Sequence, residues 1–131
     1  MLAEWGGAPA DGVTDEEQGM AGEEWFDVVN ERDEVIGIAR RAQVHAEGLR
    51  HRAAHVLVFD PAGRLFVQQR AYTKDNSPGC WDTSAAGHLD AGEDYHAAAL
   101  RELGEELGVA PDAPLEPLFR FEACADTGQE F

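Results

Sequence analysis

Gly87-His-Leu-Asp-Ala-Gly92-Glu93-Asp94-Tyr-His-Ala-Ala-Ala-Leu100-Arg101-Glu102-Leu103-Gly104-Glu105-Glu106-Leu107-Gly108-Val109 is the stretch from which the fold is read. A glycine-rich loop runs to Gly92-Glu93. Asp94 is then a good N-cap, because its carboxylate can accept the free N–H groups of a first turn. The spacing predicts a helix to about Leu107, with Gly108 as its C-terminal residue and Pro111 blocking continuation. Leu100, Leu103 and Leu107 fall three and four residues apart and form one apolar stripe. Glu102, Glu105 and Glu106 form a second face away from the leucines.

Glu102 and Glu106 are like charges one turn apart, which opposes an isolated helix by a few tenths (about 0.3 kcal/mol). Such a cluster makes sense where a hard divalent cation sits. Mg²⁺ takes oxygen ligands and usually bridges carboxylates to substrate phosphates. Arg101, four residues before Glu105, can orient it. The bland alternative is a solvated acidic helix face.

The full pattern goes further. Gly87, five residues, Glu93, seven residues, then Arg101-Glu102-Leu103-Gly104-Glu105-Glu106-Leu107-Gly108-Val109 fits the Nudix signature at every specified position. A chance match lies below about 10⁻⁵ by residue frequencies. The chain therefore resembles the Nudix family. That resemblance implies an α/β/α sandwich around a mixed β-sheet and cleavage of a pyrophosphate bond with Mg²⁺ or Mn²⁺. By position it implies Glu102, Glu105 and Glu106 as metal ligands, with the backbone carbonyl of Ala86 completing the coordination. Glu93 becomes a supporting carboxylate behind them, and Arg101 the residue that holds Glu105.

At 131 residues the chain is one domain at most, long enough to bury a core. Its formal charge of −16 should repel nucleic acid and anionic membranes, though not a small nucleotide bound through metal. The two cysteines, Cys80 and Cys124, have neither disulfide-framework nor zinc spacing, so a reduced, cytoplasmic setting is expected. No apolar run reaches membrane-span length and no signal peptide is evident.

Residues 1–23 are rich in Gly, Ala, Asp and Glu and read as a disordered acidic leader, with Trp5 as a weak anchor and Met20 as an alternative start. The domain is expected over 24–131. Trp25 to Val29 and Val35 to Ala39 read as paired strands around an Asn30–Asp33 turn. Arg40 to Glu47 reads as a short helix ending at Gly48. Ala53 to Phe59 is a nearly continuous apolar run, expected as a central buried strand. Asp60-Pro61-Ala62-Gly63 then turns the chain into a second hairpin strand, Arg64 to Gln69. Trp81 to Ala85 should be a short strand leading into the box. Leu118 to Ala123 reads as a further strand, with Cys124 as a small apolar strand residue.

A second layer of resemblance spans about residues 25–131. Phe26 to Gly37, His45 to Ala53, Gln69-Arg70 through Lys74 to Gly79, and Trp81 to His88 resemble isopentenyl-diphosphate isomerases and the hydrolases closest to them. That branch implies a histidine-rich metal site at His45, His51 and His88. Imidazole suits Mn²⁺ or Zn²⁺. The spacing of His45 and His51 departs from the isomerase pattern by one residue, and ordinary loop histidines are the alternative. Arg70 and Lys74 match positions that grip the diphosphate, and Arg41 matches a further basic position. A solvated loop is the alternative there. Glu130 matches a late glutamate that ligates metal or transfers a proton, so Glu102 and Glu130 are both candidate bases. At Ala86 the isomerases place a proton-transferring cysteine, and a methyl group can do no such work.

The expectation is thus a metal-dependent hydrolase of a nucleoside-diphosphate-type or related small substrate. An isomerase and a non-catalytic nucleotide-binding domain are the alternatives. Related domains continue past Phe131, so the last strands and a helix are expected to be missing or supplied by another chain, with a homodimer as one result.

Overall fold

The computed structural model describes residues 2–4, 24–74 and 77–131. Trp5 and Met20 lie outside the described residues, as does the expected leader apart from Leu2–Glu4, which form strand β1. The chain divides into two compact units. One comprises Met1–Gly12, His55–Ala86 and Ala99–Leu118; the other comprises Val13–Ala54, Gly87–Ala98 and Phe119–Phe131.

The first unit is built on β4 (Ala53–Phe59), the apolar run of the sequence. β1 pairs with it in parallel, β5 (Leu65–Phe66) antiparallel, and β8 (Ala85–His88) also pairs with it, so the sheet is mixed. Val56, Val58, Ala85, Ala99, Leu103, Leu107 and Leu115 are its buried apolar residues. Each buried leucine contributes about 1.5–3 kcal/mol over an exposed one. The expected Arg64–Gln69 strand is broken at Val67. Its second half, β6 (Gln68–Gln69), pairs with β7 (Trp81–Asp82) instead of with β4. The expected Trp81–Ala85 strand is likewise divided, because Thr83 turns back on Asp82 Oδ1 through its N–H (2.7 Å) before β8 begins.

In the second unit β2 (Trp25–Val29) and β3 (Val35–Arg40) form an antiparallel hairpin. Asn30 Oδ1 closes its turn by accepting the N–H groups of Arg32 (2.9 Å) and Glu34 (3.0 Å). Helix α1 (Arg41–Glu47) follows and stops where Gly48 takes φ +63°, a conformation that costs glycine little. Phe26, Ala39 and Val44 form a buried cluster beneath this hairpin and helix.

Helix α2 (Tyr95–Leu107) is the helix of the quoted stretch. Asp94 caps it as its side chain predicts, Oδ1 accepting the N–H of Ala97 at 2.7 Å, and Gly108 ends it at φ +66°. Leu103 and Leu107 are buried as expected, Leu100 is half-buried, and Ala98 and Ala99 join the buried face. Residues 118–123 are not a strand. Leu118, Phe119 and Phe121 stand exposed, and Cys124 is an exposed free thiol at the start of a turn. Alternating apolar residues make a strand only where a neighbouring strand takes up the backbone groups. Among the described residues no helix is long and apolar enough to cross a membrane.

Candidate functional site

The first unit holds the acidic face of α2. Glu102 is buried, Glu106 half-buried and Glu105 exposed. Arg101 Nη1 donates to Glu102 Oε1 at 2.6 Å and to Glu105 Oε2 at 3.3 Å, so it holds Glu102 more closely than the Glu105 it was expected to orient. Glu106 Oε2 accepts the side-chain amide of Gln68 (3.0 Å) and the N–H of Ala86 (3.1 Å). Ala86 is therefore tied to this face through its N–H. Burial pushes the Glu102 carboxyl up to about 7, against Arg101 and helped by Glu106 and Glu105. Burial also raises Glu106, against the bonds from Gln68 and Ala86. Carboxylates whose ionised forms are disfavoured by burial and by one another suit a divalent cation with oxygen ligands.

Arg70 and Lys74 belong to the same unit. Arg70 pairs with Asp82 (3.5 Å), and Lys74 is close enough for its charge to oppose the rise at Glu106. The intervening loop is tied down by Gln69, whose amide donates to the Gly79 carbonyl at 2.9 Å. Arg41, in the second unit, pairs with Glu24 (3.5 Å).

The second unit brings the three histidines together despite their irregular spacing. One ring nitrogen from each of His45, His51 and His88 lies within 4.8 Å of the others. They come from the last turn of α1, from the bridge before β4 and from the end of β8. Phe26 stacks on His51 at 5.7 Å and lies 4.9 Å from His88, an apolar wall that the sequence marks only as a strand residue. His51 Nδ1 is 2.8 Å from the Leu49 carbonyl. A carbonyl can only accept, so Nδ1 carries a proton. His51 is 1% exposed, and its Nε2 is a buried side-chain atom with no hydrogen-bond partner.

Glu130 joins this set. Its Oε1 is 2.7 Å from His88 Nε2 and 3.4 Å from His51 Nε2. Burial opposes its ionisation, yet the adjacent His51 and His88 rings hold it down at about 2. His45 is lowered by burial and by the neighbouring His88 and His51. Three imidazoles, an ionised carboxylate and an orphaned, buried ring nitrogen fit a borderline transition metal such as Mn²⁺ or Zn²⁺. Glu93 shapes the box loop: its Oε1 accepts the Asp90 N–H at 3.1 Å. Beside it, Gly92 takes φ +81° and donates its N–H to Asp27 Oδ2 at 2.9 Å.

Known proteins place the chain. The family model described as NUDIX domain matches residues 49–130. The Escherichia coli K12 protein named uncharacterized Nudix hydrolase YfcD is 46% identical over 95 residues, which cover 72% of this chain and 53% of that protein. A Photorhabdus laumondii protein named isopentenyl-diphosphate Delta-isomerase 2 is 45% identical over 94 residues, 72% of this chain and 52% of its own. The crystal structure of DR0079 from Deinococcus radiodurans matches with a TM-score of 0.60 and 36% identity, over 66% of this chain and 54% of that one. The chain thus spans about half the length of these relatives. With the box, the capped helix and these likenesses together, the chain belongs to the Nudix domain family, in the branch that includes both proteins named Nudix hydrolases and an isopentenyl-diphosphate isomerase.

Proposed function

We propose that the protein is a Mg²⁺- or Mn²⁺-dependent hydrolase of diphosphate linkages in a nucleoside-diphosphate-type or related small substrate. The observation that carries this reading is the joining of Glu102, Glu105 and Glu106 on one face of α2, with Glu106 bonded to Ala86 of the adjoining strand. Glu102, Glu105 and Glu106 would hold the divalent cation, which would supply Lewis acidity at phosphorus and lower the pKa of bound water. Glu102, buried on this face and held by Arg101 at 2.6 Å, is the assigned acceptor for the proton of the attacking water. Water oxygen then bonds to phosphorus, the P–O–P bond breaks, and the leaving phosphate oxygen takes the electron pair. Arg101 holds Glu102 and Glu105 in place, while Arg70 and Lys74 supply positive charge toward the diphosphate. Glu130 is assigned to the histidine set as a ligand, since its Oε1 lies 2.7 Å from His88 Nε2 and 3.4 Å from His51 Nε2. Two exposed free cysteines are compatible with a reducing cytoplasm.

The test is metal-dependent phosphate release from a panel of diphosphates that includes isopentenyl diphosphate. Glu105→Gln and Glu106→Gln should each nearly abolish turnover while leaving the fold intact. Near wild-type rates in both variants would sink the assignment of the acidic face. The assembled histidines favour a second reading, an isomerase, against which stands the methyl group of Ala86. Product analysis separates the two, since an isomerase converts isopentenyl diphosphate without releasing phosphate.

A further inference from the structure

The ligands of the histidine–glutamate set lie on four separate segments, and only the Glu130 carboxylate bridges ligand to ligand, at 2.7 Å to His88 and 3.4 Å to His51. Asp33 ties these segments together from outside. It sits in the β2–β3 turn at φ +61°, a conformation that aspartate tolerates better than most side chains, and its side chain is 3% exposed. Its Oδ1 accepts Arg52 Nε at 2.7 Å and its backbone carbonyl accepts Arg52 Nη2 at 2.7 Å. Its Oδ2 accepts the Tyr95 hydroxyl at 2.8 Å and Arg120 Nη1 at 3.0 Å. A buried carboxylate persists when its lone pairs are filled and its charge is opposed, and here both oxygens and two guanidiniums meet that demand.

Both guanidiniums lead to the metal ligands. Arg52 directly follows His51, and its carbonyl accepts the N–H of Leu89, the residue after His88, at 3.0 Å. Clamping the Arg52 side chain therefore fixes the backbone that joins two of the histidines. Arg120 lies over the ring of Phe131 at 5.7 Å. Phe131 donates its N–H to the His51 carbonyl and accepts the N–H of Ala53, both at 3.0 Å, while His51 donates to the Gln129 carbonyl at 3.0 Å. Glu130 is carried between those bonds.

We propose that Asp33 is the positioning residue of the histidine–glutamate site, its buried carboxylate setting through Arg52 and Arg120 the separation of the segments that bear His51, His88 and Glu130. This rests on the reading that these residues with His45 take a transition metal. The charge matters more than the shape. The change Asp33→Asn keeps the size of the side chain but turns an amide donor toward groups that are themselves donors.

The experiment titrates the full chain with Co²⁺, followed by its visible ligand-field absorption, and with Zn²⁺ against a competing chelator. Wild type, D33N, R120Q, the double variant and H51A are compared, with circular dichroism confirming the metal-free fold. D33N should bind about tenfold more weakly, at the low end for residues that support metal ligands, with a changed Co²⁺ spectrum. R120Q should lose less, and the double variant no more than D33N alone, because both act along one path. A folded D33N with wild-type affinity and spectrum, merely easier to melt, would overturn the proposal while H51A, by losing the band, keeps the metal reading standing. A wild type without a Co²⁺ band, or one that H51A retains, overturns both. If D33N does not fold, R120Q decides: its side chain is 55% exposed, and an unchanged affinity and spectrum there overturn the proposal.

Discussion

Tyr95 shows how a single group can report on the Asp33 network. Burial raises its phenol well above the ordinary value, and the hydrogen bond to Asp33 and that carboxylate's charge raise it further, against Arg52 and Arg120. The folded state therefore favours the protonated phenol. The stability this contributes is complete below the unfolded value of about 10 and is lost as pH rises through and beyond it. Tyr95→Phe removes the bond and should lower stability at neutral pH by about 1.5–3 kcal/mol, the range for a hydrogen bond to a charged group. Urea unfolding measured from pH 8 to 11 should show a shallower decline in Y95F than in wild type; superimposable slopes would contradict the assignment. At this scale the acidic face was legible because Glu102, Glu105 and Glu106 are neighbours on one helix, where spacing alone sets the face. The histidine set was legible only through resemblance, since its members are joined by tertiary structure. Asp33 was not legible at all: its partners lie 19, 62 and 87 residues away, and no local pattern marks it.

Where elements meet, one hydroxyl bridges two paired strands. In the β4–β5 hairpin Val58 stands opposite Phe66. Ser84 Oγ lies between them, accepting the Val58 N–H at 2.8 Å and donating to the Phe66 carbonyl at 2.5 Å, with no exposure to solvent. Removing the hydroxyl strands a buried donor and a buried acceptor together. Ser84→Ala should cost about 1–3 kcal/mol in thermal or urea unfolding, and a loss below about 0.5 kcal/mol would show that the backbone pair closes without it. The helices were legible in the sequence because their ends carry their own chemistry, Asp94 and Gly108 for α2 and Gly48 for α1. The strands were less so. Leu65–Gln69 alternates well enough for one strand, yet it serves two sheets, and the alternation of residues 118–123 finds no ladder among the described residues. Period tells which face a residue would take; it does not supply the partner strand.

At the level of the whole chain, a formal charge of −16 over 131 residues means that the folded state works against its own repulsion. Two contributions to stability follow, and they are separable. Monovalent salt screens the repulsion without regard to site, so raising NaCl should raise the melting temperature in wild type and in E105Q or E106Q alike. Mg²⁺ should do the same through screening and add a second, saturable term by binding the native carboxylates. That term grows as RT ln(1 + [L]/Kd) and reaches about 2.7 kcal/mol at a hundred times Kd. Melting curves in MgCl₂ and in NaCl at matched ionic strength isolate it. The excess should be present in wild type, saturate with concentration, and vanish in E105Q and E106Q while their response to NaCl is unchanged. Equal stabilisation by the two salts in wild type would mean that the acidic face is only a solvated charge cluster, and the hydrolase reading would lose its metal.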